Sequence, residues 1–552
     1  MNAETKICKQ CGGRFEITAD EKALYEKIGI PVPGECFKCR MQHLFAFWMF
    51  GKFRKGKSSL SGKDLITILP EKTRYPVYTS HEWFSDEWDP MDYGQKYDSN
   101  RSFFKQFKEL QERVPRPHQT GKNNLSCDWC DDVWDSKNCY LTRAIIGCEN
   151  LSYSYRNVNV KDSFDVTYCY NTDKSYDITF CFNCHKLKYS LNSRDCLNSS
   201  FLFDCRNVQD SFMCWNLRNR QYYFFNEPYS KDEYLKKIKA FNLGSRKIIE
   251  ELKTKFNEII RDKAVHRANF NVRSENSIGN YLTNCNRCHN LFHWEDSENC
   301  YNSMRGFKTK NCIDLAGSGE AELCGMGAMV FIGGYKTNFS SWTNSCTDSE
   351  YLDSCMECRE CFGCVGVRKK KNCILNKQYS EEEYKRLKAQ IIEDMKLGGE
   401  YGEFFPYSLA YGGYNLTTAQ IYFPKTKETV ISMGGTWDEA EDKTADGISP
   451  EKLPDDIADV ENGITGQALI CPKTGYRFNI ASHELSFYKE MNIPLPRLHP
   501  DYRNIERFKL LTVIDAYPYK CTFCGADVGA YYLPEWGYKR IACIKCYQKE
   551  IA

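Results

Sequence analysis

Ile7-Cys8-Lys9-Gln10-Cys11-Gly12-Gly13-Arg14-Phe15-Glu16-Ile17 lies near the start of the chain, and Ile470-Cys471-Pro472-Lys473-Thr474-Gly475-Tyr476-Arg477-Phe478-Asn479-Ile480 lies toward its other end. The two stretches are copies of one pattern. From them, residues 7–64 align without a gap on residues 470–527. The identities continue through Glu21/Glu484, Tyr25/Tyr488, Ile30/Ile493, Pro31/Pro494, Pro33/Pro496, Arg40/Arg503, Phe45/Phe508, Gly62/Gly525 and Asp64/Asp527. With Lys57/Lys520, sixteen positions agree, where ordinary residue frequencies would give about three. The two ends of the chain are an internal duplication.

Each copy has room for two metal fingers. In the first copy, finger one is intact as Cys8-x-x-Cys11 followed by Cys36-x-x-Cys39, while finger two falls on Ser58, Ser61, Thr79 and Glu82. The last copy is the reverse. Its finger one keeps Cys471 and His499, with Thr474 and Tyr502 in the other positions, and its finger two is intact as Cys521-x-x-Cys524 and Cys543-x-x-Cys546. Four thiolates close a tetrahedral shell around Zn²⁺ and leave no position for water or substrate. The eight cysteines therefore predict at least two structural zinc ions, whose binding drives folding at about 10–16 kcal/mol apparent. Reduced core cysteines or an iron–sulfur cluster are the alternatives. Arg40-Met41-Gln42-His43-Leu44 after Cys39 can begin a helix, and the same holds after Cys546. A second C-x-x-C at a helix start points to a treble-clef or zinc-ribbon finger.

The bulk numbers agree with this. At 552 residues the chain is too long for one core, and three to five domains are expected. A net charge of +2 makes the whole molecule no magnet for nucleic acid or membrane. Met1-Asn2-Ala3-Glu4 lacks a signal-peptide shape, and the apolar run Leu44–Phe50 is far too short to span a bilayer. A cytoplasmic location is expected, with no membrane partner. Thiols stay reduced there, so the thirty cysteines favour metal over disulfide.

The middle of the chain is a second duplication. Cys127-x-x-Cys130 leads to Asp135-Ser136-Lys137-Asn138-Cys139-Tyr140, and Cys285-x-x-Cys288 leads to Asp296-Ser297-Glu298-Asn299-Cys300-Tyr301. Phe212-x-Cys214-x-x-x-Arg218 parallels Phe362-x-Cys364-x-x-x-Arg368, and Asn226-x-x-Tyr229-Ser230-x-x-Glu233 parallels Asn376-x-x-Tyr379-Ser380-x-x-Glu383. Both units end in Ser-x-x-Glu, a capping-box start to a helix, and Gly244 breaks or bends the first such helix. Within the first unit an aromatic recurs about every dozen residues, at Phe164, Tyr176, Tyr189, Phe201, Phe212 and Tyr223. Phe164-Asp165-Val166-Thr167-Tyr168 and Tyr176-Asp177-Ile178-Thr179-Phe180 alternate with period two, as half-buried strands do. Asn, Asp and Ser supply corners. Short strands at a fixed beat predict a β-solenoid. The cysteines on this beat are inward packing residues or extra metal ligands. The latter reading is strongest at Cys127, Cys130, Cys285, Cys288, Cys355, Cys358, Cys361 and Cys364.

Asp135-Ser136-Lys137-Asn138-Cys139-Tyr140, Trp83-Phe84-Ser85-Asp86-Glu87-Trp88-Asp89, Phe103-Phe104-Lys105-Gln106-Phe107-Lys108-Glu109-Leu110 and Asn226-Glu227-Pro228-Tyr229-Ser230 carry a resemblance over nearly the whole chain. It resembles cysteine-rich proteins of candidate-phyla bacteria, the Patescibacteria. The resemblance implies repeated zinc fingers around a cysteine-rich repeat region, and it brings no activity with it. This chain departs from that pattern where finger two of the first copy lacks cysteines.

The fold class expected is multidomain α+β and β-rich, with duplicated zinc-ribbon or treble-clef modules flanking a duplicated β-solenoid-like region with capping helices. Its segments are a zinc module with a helix (1–118), repeat unit one (119–270), repeat unit two (271–399), a connector (400–470) and a zinc module (471–552). Gly412, Gly413, Pro450, Pro454 and the acidic stretch from Asp438 to Asp446 make the connector loop-like. A non-enzymatic scaffold, bound to a protein partner or to itself, suits this layout. RNA or ribosome binding is the alternative, through Trp48, Lys52, Arg54, Lys55 and Lys57, where aromatics interleave with cations. Arg368-Lys369-Lys370-Lys371 adds a second basic run. The remaining reading is a β-solenoid enzyme. No catalytic residue is named for it, because the chain holds no G-x-x-x-x-G-K-[ST], H-E-x-x-H or G-x-S-x-G.

Overall fold

The computed structural model describes residues 3–439 and 446–551. Most of the acidic stretch, residues 440–445, lies outside them. The chain is mixed α/β and strand-rich, with twelve α-helices among the described residues. It divides into two compact units: residues 1–119 with 269–439, and residues 120–268 with 440–552. Each terminal module thus shares a unit with a middle segment remote from it in sequence.

The second unit contains a ladder of parallel strands from Gly121–Lys122 to Tyr223–Phe224. Each strand pairs with the stretch twelve residues on, as in Phe164↔Tyr176↔Lys188 and Leu187↔Ser199. The dozen-residue aromatic beat follows this register, with Phe164 pairing directly with Tyr176 and with Tyr189 and Phe201 one residue past the partners Lys188 and Ser200. Tight corners put Asn138, Asn150 and Asp162 at positive φ, a conformation Asn and Asp tolerate better than other side-chain-bearing residues. Their side chains then bond from rung to rung, Asn138 Nδ2 to Asn150 Oδ1 at 3.2 Å and Asn150 Nδ2 to Asp162 Oδ1 at 2.7 Å. Tyr153, Phe164, Tyr176, Tyr189, Phe201 and Phe212 form a buried aromatic column. The helices Arg246–Asp262 and Ser482–Glu490 cover it, with Phe256 5.5 Å from Phe201 and Phe487 4.3 Å from Phe164.

The first unit holds the second ladder, from Ile278–Thr283 to Lys371–Ile374, again with twelve-residue partners such as His289↔Tyr301↔Ile313. Between Ala328 and Ser341 the register is thirteen. Gly333, at φ +78°, stands in the longer turn.

Both ladders end alike. The amides of Asn226 and Asn376 bracket the backbone of Trp215 and Val365, and Ser230/Glu233 and Ser380/Glu383 form the expected capping boxes. After the first box the helix Lys231–Lys239 stops before Arg246–Asp262 begins. Gly244 lies between them because a Cβ there would sit 2.6 Å from Asn492 Oδ1 and 2.8 Å from Asp456 Oδ1. The connector is more ordered than its composition suggests. Residues 400–439 belong to the first unit and carry the helices Thr418–Tyr422 and Lys427–Ser432. Buried aromatics anchor this stretch: Phe405 stacks on Phe107 at 4.7 Å, and the Tyr422 hydroxyl accepts from the buried Arg305.

Candidate metal centres and the contacts they brace

Two groups of four cysteines draw together closely enough to hold a metal ion, Cys8/Cys11/Cys36/Cys39 and Cys521/Cys524/Cys543/Cys546, with all thiols of a group within 4.8 Å of one another. The local build explains why. Strands Glu4–Ile7 and Arg14–Ile17 form a hairpin whose turn carries Cys8 and Cys11. That turn closes through Cys8 N–H on Gly13 O at 2.9 Å and Gly12 N–H on Cys8 O at 2.9 Å, with Gly12 at φ +71°. Glycine takes that φ at no steric cost, which accounts for the Gly12/Gly475 identity. Cys36 then caps the helix Phe37–Phe45, and Cys39 sits in its first turn. The fourth finger repeats this with hairpin Tyr517–Lys520/Asp527–Ala530, Gly525 at φ +70° and Cys543 capping Ile544–Glu550.

The thiols are set for a cation. Cys8 Sγ accepts from the N–H of Cys11 (3.5 Å) and of Cys36 (3.3 Å), and Cys521 Sγ accepts from Cys543 N–H (3.3 Å). Cys11 and Cys36 sulfurs stand 3.9 Å apart, as do those of Cys524 and Cys543. A tetrahedron with metal–sulfur bonds of about 2.3 Å spaces its sulfurs about 3.8 Å apart. The Cys39 thiol, bonded to Cys36, pulls Cys36 down to about 5. At Cys521 burial pushes upward, but the N–H groups of Cys543, Cys524 and Phe523 bring the thiol down to about 6.

The two fingers without four cysteines keep the same shape by other means. In the second finger, Ser58 stands between strands Arg54–Lys57 and Asp64–Thr67, with Gly62 at φ +73°. Ser58 Oγ accepts from Leu60 N–H (3.1 Å) and Ser61 N–H (3.4 Å), as the cysteine sulfur does in the first. It donates to Glu82 Oε2 at 2.5 Å, and that oxygen also accepts from Thr79 N–H at 2.9 Å. A carboxylate holds the corner that a fourth thiolate would hold. Burial pushes Glu82 up, yet the hydroxyls of Ser58 and Ser61 and the groups of Thr79 bring it to about 2. In the third finger Cys471 is fully buried. His499 Nδ1 caps its own helix by accepting from Asp501 N–H at 3.1 Å. Tyr476 N–H bonds Thr474 Oγ1 at 3.2 Å.

The other proposed metal ligands fill the ladder interiors. All eight of Cys127, Cys130, Cys285, Cys288, Cys355, Cys358, Cys361 and Cys364 are buried, and their thiols donate to carbonyls two residues back or nine residues on. Cys130 Sγ bonds Cys139 O (3.1 Å), Cys288 Sγ bonds Asn286 O (3.4 Å), Cys355 Sγ bonds Cys364 O (3.3 Å) and Cys358 Sγ bonds Val367 O (3.2 Å). Ser175 serves the same kind of slot, its Oγ bonded to Asp173 O at 2.9 Å.

The fingers sit against the ladders through contacts that occur in both units. In the first unit, Arg40 of the helix Phe37–Phe45 binds Asp314 through Nε and Nη2, both at 2.8 Å, with side-chain exposures of 3% and 0%. The Tyr25 hydroxyl donates to the other carboxylate oxygen, and Glu21 accepts from Asn302. Burial pushes the Asp314 carboxyl up, and Arg40 and Tyr25 pull against it. In the second unit, Arg503 binds the buried Asp165 at 3.0 Å, and Glu484 accepts from Tyr153 (2.6 Å) and Tyr488 (2.7 Å). A second contact is doubled as well. Arg368 stacks over Trp83 at 5.1 Å and donates to its carbonyl at 2.6 Å, whereas Arg218 donates to the Tyr547 hydroxyl at 2.6 Å. Sequence reasoning did not assign these residues a role. The signal was present, because Glu21/Glu484, Tyr25/Tyr488, Arg40/Arg503 and Arg218/Arg368 are all identities of the two duplications.

Of the residues put forward for nucleic acid, Trp48 and Arg54 are engaged in packing. Trp48 is 4% exposed, with Arg305 5.0 Å above its ring, so it offers no face to a base. Phe45 and Phe47 are buried too. Arg54 donates to Leu69 O and Pro70 O at 2.6 Å each, and Lys57 pairs with Asp64 at 2.9 Å. Lys52 is half-buried, and Lys55 and Lys57 are exposed. Among the described residues no helix is long and apolar enough to cross a membrane. Comparison with protein-family models returns no match, and comparison with curated proteins returns none.

Proposed function

We propose that this chain is a non-enzymatic, zinc-dependent scaffold: two treble-clef-like modules, each braced by one four-cysteine zinc site, lock onto two β-solenoid-like ladders. One observation carries the reading. The same finger-to-ladder contact, arginine on a buried aspartate with a tyrosine and a glutamate beside it, stands in both units. Zinc is the metal that four thiolates in a closed shell suit best, and such a site offers no coordination position to a substrate. In the first unit its effect is transmitted directly. Cys36 and Cys39 start the helix that presents Arg40, so the metal orders the residue that holds the ladder.

The ladders give the scaffold its partner surface, as stacked repeats do elsewhere. Affinity capture of the full chain, with its mass in solution measured alongside, tests the reading. A reproducible protein partner or a stable self-assembly, lost in Cys39→Ser or Cys546→Ser, supports it. A monomer that captures nothing overturns it.

A further inference from the structure

The second unit holds a cleft of about 840 Å³ between the corners of the first ladder and the helix Ser482–Glu490, a size ordinary for ligand sites. Trp129, Tyr140, Phe164, Phe487 and Met491 line it. Asp128, Asp162 and Glu490 add three carboxylates. Lys174, the one lysine or arginine in the lining, leans on Glu490 at 3.7 Å with both groups well exposed, a pairing of little strength. The imidazole of His483 lies edge-on to Tyr140 at 6.1 Å, and partial desolvation lowers its basicity.

From this we infer that the cleft receives a cation on an apolar stem, the arginine or lysine side chain of a partner polypeptide. The inference rests on the scaffold reading and names the chemistry of its partner. Aromatic faces attract cations through their quadrupole, by about 0.5–2 kcal/mol, and carboxylates at the rim add charge complementarity. An anion would meet three like charges, and a neutral sugar would gain hydrogen bonds from them but no charge pairing. The duplication supplies an independent argument. In the first module Leu24, Lys27 and Ile28 occupy the positions of Phe487, Glu490 and Met491, and Lys27 reaches Asn311 Oδ1 at 2.9 Å. The first finger docks on its ladder without the aromatic or the acid. Glu490 is therefore not required by docking, and Phe487, which stacks on Phe164 but stays half-exposed, keeps a face toward the cleft.

The test is calorimetric titration of the zinc-loaded full chain with the peptide acetyl-Gly-Gly-Arg-Gly-Gly-amide. Its citrulline analogue, spermidine and a neutral oligosaccharide are run beside it. The expected result is saturable one-to-one binding of the arginine peptide. It should weaken about tenfold or more with citrulline, in Trp129→Ala, and in Asp162→Asn/Glu490→Gln, while circular dichroism and zinc content stay unchanged. Equal binding of the citrulline peptide, unchanged binding in the variants, or no binding up to about 10 mM, a weak affinity by any scale, overturns the inference. So does preference for spermidine or the oligosaccharide. The two readings fail separately. If the cleft inference alone is wrong, a captured partner is held equally by Trp129→Ala. If the scaffold reading alone is wrong, the peptide still binds but the chain captures nothing.

Discussion

Arg40→Met should cut deeply into the stability of the first unit. Arg40 and Asp314 are 3% and 0% exposed, and two guanidinium N–H groups converge on one carboxylate oxygen at 2.8 Å. Methionine fills much of the space of the arginine stem but leaves Asp314 with the Tyr25 hydroxyl as its main donor. Stranding one member of a buried ion pair costs about 3–5 kcal/mol. Asp314→Leu should cost a comparable amount by stranding Arg40. The double variant removes both charges and should recover most of the loss, because apolar replacement of a whole buried pair is close to neutral. Urea unfolding read by hydrogen-exchange mass spectrometry separates the two units peptide by peptide. With a slope of about 2–3 kcal/mol per molar, the Arg40→Met midpoint for peptides of 278–378 should fall by about 1–2 M. Peptides of 121–228 should not move. A single-variant cost under about 1 kcal/mol, or a double variant as unstable as the sum of its parts, would refute the docking account.

Replacing Ser58, Ser61, Thr79 and Glu82 together by cysteine should raise bound zinc by one ion per chain, measured by elemental mass spectrometry. No third ion would mean that the second finger has lost the geometry its hairpin suggests. Glu82 should stabilise the first unit fully above the unfolded carboxyl value near 4.5, and this contribution should fade as pH drops through about 2. The stability gap between wild type and Glu82→Gln should accordingly narrow from pH 6 toward pH 2, read by near-ultraviolet circular dichroism. Cys181 bonds Thr179 O at 3.5 Å and Ser190 O at 3.6 Å inside the ladder. Cys181→Ser should leave zinc unchanged and cost only about 0.5–1.5 kcal/mol in chemical denaturation, the size of one ordinary hydrogen bond.

The ends of the chain were legible because metal spacing and duplication are local signals. Cys8, Cys11, Cys36 and Cys39 form one C-x-x-C pair on a turn and one at a helix start, and the structure brings all four together. The aromatic beat at Phe164 and Tyr176 likewise fixed a strand register, since residues twelve apart pair directly. Pairing at long range was not legible. Nothing in the spacing of Arg40 and Asp314 announces that they meet across 274 residues, and the units assort the segments out of sequence order. Trp48 misled for the opposite reason. Interleaved aromatics and cations describe a nucleic-acid strip and a packed helix end equally well, and burial alone tells them apart. The carboxylate of Glu82 stands where a cysteine was sought, and only its hydrogen bonds to Ser58 and Thr79 reveal what it replaces.

The most direct test of the account is the metal count of the natively purified chain, by elemental mass spectrometry with thiols titrated before and after chelation. Two zinc ions per chain are predicted, falling to one in Cys39→Ser and to one in Cys521→Ser, with the ladder thiols metal-free throughout. Four or more zinc ions, or two that survive both substitutions, would place metal in the ladders and contradict the account. So would iron or disulfides in place of zinc.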